Sequence, residues 1–289
     1  MIECPTIENK TLEKKDLKEF SPIFKISLAE WSLHRFFLKN KTKSNLDFPL
    51  ISRKQFGIGA VEYVNQFFPD KAEDIKYLNE LKNRSDSEGV KNLLIMCDNE
   101  GKLGAKSKRE RRKAVKNHYK WVDAARFLGC HSIRINAHAE GTPEEQKKRI
   151  IESISKLAEY SEKIGINIII ENHGDLSSNA VWICDVIKET NNPLIGTLPD
   201  FGNFPEKINI YESVEKMMPF AKGVSAKSYD FDENGYETKI DYEKMMQVVV
   251  RSGYRGYVGI EYEGENLNEF EGIRKTKALL ERVRTKLSN

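Results

Sequence analysis

The chain has 289 residues, 31% of them charged, and its 47 Lys and Arg nearly balance 44 Asp and Glu, for a formal net charge of +3. That length can bury a large core, and so mild a charge is no signature of a nucleic-acid protein. No apolar run reaches the roughly 18 residues that a membrane span needs, so no membrane partner is expected.

Residues 1–21 are polar, contain no apolar h-region and read as a peripheral extension rather than a signal peptide. Residues 22–289 read as one domain, because no linker rich in Pro, Gly or Ser interrupts them. Four cysteines (Cys4, Cys97, Cys130 and Cys184) form no CxxC, and the last three sit among apolar residues. They read as small buried hydrophobes in a reducing compartment. The expectation is a cytoplasmic protein, with an export leader removed before maturation left open.

Short apolar runs then recur along the chain. The first four are "IFKISLA" (23–29), "GAVEYV" (59–64), "NLLIMC" (92–97) and "SIRIN" (132–136). The second four are "INIIIE" (166–171), "LIGTLPD" (194–200), "KGVSAKS" (222–228) and "YVGIEYE" (257–263). Between them lie stretches with helical spacing. The segment 106–128 ends at Gly129, and its basic start "KSKRERRKAVK" reads as a solvated helix face. The segment 142–165 opens with Thr142 as N-cap and Pro143 in the first turn and stops at Gly165; that at 241–253 runs from Asp241 to Gly253. Residues 37–56 are the least regular and read as a long excursion after the first strand.

Strand, helix, strand, repeated eight times, predicts an α/β fold with a parallel sheet under helices, and eight units in this length is the (β/α)8 TIM barrel count. A doubly wound sheet is the rival layout, but "ISLAEWSLHR" lacks the glycines of a dinucleotide fingerprint.

Barrel chemistry sits at the C-terminal ends of strands. Here the fifth strand ends at Glu171, followed by Asn172 and His173; the sixth ends at Asp200, followed by Asn203; the eighth carries Glu261 and Glu263. Alternation places Arg134, Asn136 and His138 on one face of the fourth strand, and Ser225 with Lys227 on one face of the seventh. With the isoleucines toward the helices, these polar residues face the axis. Three carboxylates brought together repel unless a cation sits among them. A divalent ion bound by Glu171, Asp200 and Glu261 is therefore expected. Oxygen ligands suit Mg2+ or Mn2+, and an added imidazole admits Zn2+ or Co2+. The plainer alternative is that each carboxylate caps a helix or pairs with an Arg or Lys. His118, Trp121 and His131 read as packing or structural residues. Trp31, His34 and Phe201 are candidates to line a ligand's apolar face.

The motifs "IIIENHG", "LPDFGNF", "GVSAKSYDF" and "GYVGIEYEG" also resemble the xylose isomerase-like (β/α)8 superfamily, in its sugar phosphate isomerase/epimerase-like branch, over about residues 22–285. That superfamily includes sugar isomerases, ketose 3-epimerases, inosose dehydratases and endonuclease IV. The resemblance implies metal ligands at Glu171, Asp200 and Glu261. It puts Ser225 where the epimerases carry a histidine ligand, and Asn203 where they carry another histidine. The fourth ligand is then water, substrate or His173.

The implied activity is a metal-dependent sugar isomerase or epimerase, working by proton abstraction next to a carbonyl through an ene-diolate. Glu171 and Glu261 would be base and acid, Lys227 would steady an alkoxide, and Arg134, Asn136, His138, His173, Asn203, Ser225, Trp31 and His34 would bind substrate. The main alternative is a metal-dependent dehydratase, or a lyase or hydrolase acting on a keto-sugar or keto-glycoside, which Ser225 favours. Further alternatives are an endonuclease IV-like nuclease, disfavoured by only five histidines, and a non-catalytic sugar-binding barrel. The expected partner is a small carbohydrate, with nucleic acid disfavoured and a homo-oligomer left open.

Overall fold

The computed structural model describes residues 22–288; the polar extension expected over 1–21 lies outside the described residues, as does Cys4. The expected eight strands form, all parallel: β1 Lys25–Ala29, β2 Ala60–Val64, β3 Lys91–Met96, β4 Ser132–Ile135, β5 Asn167–Glu171, β6 Ile195–Leu198, β7 Val224–Ser228 and β8 Tyr257–Tyr262. Each falls inside its apolar run or within a residue of it. The sheet order is β6-β5-β4-β3-β2-β1-β8-β7. Its two edges meet through the isolated bridges Thr197↔Ala221 and Asp200↔Ser225. Pro199 explains why the last pairing stays fragmentary, since it has no N–H to donate at the end of β6. Ser225 N still donates to Pro199 O (2.9 Å) and Phe201 N to Ser225 O (3.1 Å), and these bonds close the ring.

Helices cover the outside: α1 His34–Lys39, α2 Phe48–Phe56, α3 Ile75–Ser87, α4 Lys108–Leu128, α5 Pro143–Glu162, α6 Ala180–Thr190, α7 Ile210–Met217, α8 Tyr242–Arg251 and α9 Glu269–Ser288. Thr142 and Glu145 form a capping box at the start of α5, and Asp241 caps α8 by accepting from Lys244 N. The irregular excursion expected at 37–56 is instead α1, a 3-10 turn at Asn45–Asp47, and α2. Phe48, Ile51 and Phe56 supply the buried side of α2, and Pro49 is accommodated because it lies in the first turn, where its missing N–H costs nothing. In α4 the basic face is solvated as expected except for Arg111. That side chain is buried and bonds Glu152 (2.6 Å) and the Ala105 and Lys106 carbonyls (3.0 Å each).

The main core lies between sheet and helices and includes Ile133, Ile135, Ile168 and Ile170. A second cluster, made of strand residues, fills part of the barrel: Ala29, Val64, Leu94, Met96, Ile169 and Leu198. Alternation thus sends Ile168 and Ile170 toward the helices and Ile169 to the axis, which turns the next inward position, Glu171, to the axis as well. Among the described residues, no helix is long and apolar enough to cross a membrane. Cys97, Cys130 and Cys184 are buried free thiols.

Candidate active site

At the C-terminal end of the barrel, Glu171, Asp200 and Glu261 each offer a carboxylate oxygen, and these oxygens lie within 4.8 Å of one another. All three side chains are buried. Backbone geometry sets their positions. Asn172 clamps the ends of β5 and β6 together, donating to Asp200 O (2.9 Å) and accepting from Asp200 N (2.8 Å). Asp200 Oδ1 accepts from Gly202 N (2.8 Å) and Asn203 N (2.9 Å), which leaves Oδ2 directed at the cluster. Asn203 Nδ2 donates to Glu171 Oε1 (3.0 Å).

Two cations stand in the same cluster. Lys227 Nζ lies 2.6 Å from Glu261 Oε1, 3.1 Å from Glu263 Oε2 and 3.8 Å from Asp200 Oδ2. Arg134 Nε lies 2.8 Å from Glu171 Oε2, while its Nη1 donates to Asp98 Oδ1 (2.7 Å). Ion pairing, the plainer alternative for each carboxylate, is therefore present at all three, closely at Glu171 and Glu261 and at 3.8 Å at Asp200, alongside the convergence. It is incomplete. The Arg134 Nε–H is not aimed at Glu171, so Glu171 Oε2 is buried with no hydrogen-bond partner among the described residues. Ser225 Oγ lies 2.6 Å from Asp200 Oδ2 and 3.1 Å from Glu261 Oε2, and has one proton for two acceptors.

Burial pushes Glu171 and Asp200 up to about 7, with the neighbouring Glu261 charge adding to the rise against Arg134 and Lys227. Burial acts most strongly on Glu261, but Lys227, with help from Arg134 and His173, outweighs it and holds that carboxyl below its ordinary value. Three converging carboxylates, one of them with an orphaned oxygen, fit a divalent cation, and the donor set is all oxygen.

Beside the cluster opens a cavity of about 560 Å³, which Glu261 lines and which Glu171, Asp200 and Lys227 do not. Trp31, Arg134, Asn136, His138 and His173 line it, with Glu261 and Glu263 on the barrel side. Trp31 Nε1 donates to Glu263 Oε1 (2.6 Å). His173 presents a buried Nδ1 without a partner among the described residues, and its ring lies 6.3 Å from that of His138. His173 is outside the three-residue ligand cluster.

Four candidates occupy places other than those expected. His34 stacks behind Trp31 at 4.8 Å and bonds the Trp31 carbonyl (2.7 Å), so it supports the wall rather than forming it. Ser225 and Asn203 are engaged with carboxylates, and neither lines the cavity. Phe201 is buried against Tyr242 at 5.8 Å and belongs to the core. His118 is buried, bonding the Ala114 carbonyl (2.8 Å), and His131 bonds Ser132 Oγ at the N-terminal end of β4, as expected of structural residues.

Two acids were not anticipated. Asp98 lies two residues past the end of β3 and accepts from Arg134 (2.7 Å) and Asn136 (2.6 Å). The rule that found Glu171, a carboxylate at the end of an apolar run, applies equally to "NLLIMCD". Glu62 is buried within β2, and a lone acid inside "GAVEYV" was its only signal. Its Oε1 accepts from Ser27 Oγ (2.6 Å) and its Oε2 has no partner among the described residues. A Cβ at Gly259 would meet Oε1 at 2.5 Å, so only glycine on β8 leaves the carboxyl room.

Burial pushes Glu62 up from 4.5 to about 8, against the Ser27 bond and with the charges of Glu261 and Glu171 adding to the rise. The folded protein therefore keeps a proton there that the unfolded chain releases above 4.5. Stability from this group is full below about pH 4.5 and is lost as the pH climbs toward 8. Urea midpoints measured across that window should fall less steeply for Glu62→Gln than for wild type; parallel curves would show that Glu62 ionises freely in the fold.

A model of the family described as xylose isomerase-like TIM barrel matches residues 53–284. The C-glycoside deglycosidase alpha subunit of Arthrobacter globiformis is 46% identical over 48 residues, a match spanning 17% of this chain and 14% of that protein. Among solved structures, an L-ribulose 3-epimerase superposes with a TM-score of 0.74 at 15% identity, covering 92% of this chain and 97% of its own. An IolI protein with a bound zinc atom superposes at 0.73 with 18% identity, covering 91% and 99%. At such identities the likeness is one of fold.

Proposed function

This chain belongs to the xylose isomerase-like TIM barrel family, and on that premise we propose that it is a divalent-metal-dependent isomerase or epimerase of a small carbohydrate. The observation that carries the reading is the meeting of three carboxylate oxygens from three chain segments within 4.8 Å, with one of the three acids, Glu261, lining a cavity. Glu171, Asp200 and Glu261 would hold the ion, and their all-oxygen set favours Mg2+ or Mn2+ over Zn2+ or Co2+. When bound, the ion supplies Lewis acidity to the carbonyl and hydroxyl oxygens of the sugar.

The chain's own groups do the rest. Glu171 takes the proton from the carbon beside the carbonyl, giving the ene-diolate; Glu261, held ionised by Lys227, returns a proton to carbon after taking one from a sugar hydroxyl, and that oxygen recovers its proton from Glu171. Arg134 keeps Glu171 in place from the side opposite Asn203. Lys227 and the His173 ring donate to sugar oxygens as charge develops there. Trp31 offers its ring to the apolar face of the sugar, and Val64 and Met96 at the cavity wall exclude water.

A second reading, elimination from a keto-sugar or keto-glycoside, is favoured by the local match to the C-glycoside deglycosidase alpha subunit. It uses the same proton abstraction and differs in the leaving group lost afterwards. Purification without chelator, metal quantification, and incubation of ketoses, aldoses and keto-glycosides in heavy water test both. A bound divalent ion and a deuterated epimer of unchanged skeleton support the first reading. Release of water or an aglycone supports the second, and a metal-free protein inert toward every sugar overturns both.

A further inference from the structure

Lys227 is the cation that contacts Glu261 and Asp200 within the three-acid cluster. Its stem is fixed. A Cβ at Gly202 would lie 2.6 Å from Lys227 Cγ and 3.1 Å from its Cβ, so the chain at Gly202 packs directly against the first carbons of the side chain. Only the outer carbons can swing, and two carboxylates lie within their arc. Nζ rests 2.6 Å from Glu261 Oε1 and 3.1 Å from Glu263 Oε2. Glu263 is itself held, since its Oε1 accepts from Trp31 Nε1 at 2.6 Å, which leaves Oε2 turned to the ammonium.

We infer that Lys227 is a resident counter-ion with two seats: on Glu261 while the three carboxylates hold no metal, and on Glu263 once a divalent cation takes Glu261. The inference rests on the metal-site reading above. Without the ammonium, Asp200 and Glu261 would stand buried with Ser225 as their shared donor, an arrangement of like charges that a low-dielectric interior penalises. With a divalent ion on Glu261, an ammonium at its present distance would repel that ion strongly. Glu263 resolves the conflict with a small movement and no change of protonation. Metal binding thereby delivers the ammonium to the cavity wall beside Trp31, where a sugar hydroxyl would meet it.

The test is calorimetric titration of Mn2+ into the metal-stripped 289-residue chain, without reference to turnover. Lys227→Met should tighten Mn2+ binding about tenfold or more, because the competing charge is gone. Glu263→Gln should weaken it several-fold, because the displaced ammonium loses its second seat. The double variant should bind like Lys227→Met alone, since Glu263 matters only through the lysine. Unchanged or weaker binding by a folded Lys227→Met, as judged by circular dichroism, overturns the inference. So does a Glu263→Gln effect that persists without the lysine. If Lys227→Met does not fold, unchanged affinity in Glu263→Gln overturns it alone. Wild type and Lys227→Met both failing to bind Mn2+ removes the metal reading itself, an outcome distinct from a wild type that binds and a variant that binds no better.

Discussion

Glu171→Gln is expected to lower deuterium exchange into the sugar by a factor of about 10²–10⁴, the range for losing a positioned general base, while leaving the fold intact. The amide keeps the volume of the side chain, and its Oε1 still accepts from Asn203 Nδ2. Arg134 loses one anionic neighbour and keeps Asp98 at 2.7 Å. The substitution removes the basic lone pair together with one charged ligand of the candidate metal group, so bound metal is quantified alongside exchange. Exchange at the wild-type rate, with the metal still bound, would show that another group takes the proton. Glu261→Gln makes a useful companion, because its loss leaves Lys227 facing Glu263 and Asp200 alone.

The largest effect on stability is expected from Arg134→Met. The guanidinium is buried between Asp98 and Glu171, with Asn136 Oδ1 as a further acceptor for Nη1 at 3.1 Å. Burial works against its charge, but Asp98 and Glu171 outweigh that and hold it firmly protonated. Asp98 in turn is held well below the usual carboxylate range, because Arg134 outweighs the effect of burial. Removing one member of such a buried set leaves uncompensated charge and costs about 3–5 kcal/mol. Urea denaturation checks this, and Asp98→Asn added to Arg134→Met should recover part of the loss. A cost within about 1 kcal/mol would mean that water reaches these carboxylates.

Arg134 also shows where a linear reading stops. The β-rich runs locate all eight strands, since a strand buried on both faces needs a near-continuous apolar stretch. Alternation places Glu171, Arg134 and Lys227 toward the axis, because the side-chain period of a strand is fixed at two. Neither signal says which neighbour a long side chain will choose. Arg134 reads as a substrate contact by its face alone, yet Asp98 arrives from β3 across the sheet and claims it, as it claims Asn136. His34 fails for a related reason. It follows β1 at the right end of the barrel, but the 3-10 turn Glu30–Leu33 rotates it behind Trp31. Helix α2 escaped notice because its apolar positions are few and begin beside a proline, a combination that reads as loop until burial is known. Asp98 was legible, as an acid directly after an apolar run, whereas Glu62 has meaning only once Ser27 and Gly259 are seen on either side of it.

The seam between β6 and β7 has a mechanical corollary. Other neighbours in the ring are stitched by ladders, but here the hoop is fastened by two rivets, and one of them joins Asp200 to Ser225. The same two residues are tied again through their side chains at 2.6 Å. Whatever grips Asp200 thus tightens the joint that keeps the staves together, and whatever releases it loosens the weakest join in the wall. Occupancy of Asp200 by a ligand would thus be coupled to closure of the barrel, each stabilising the other.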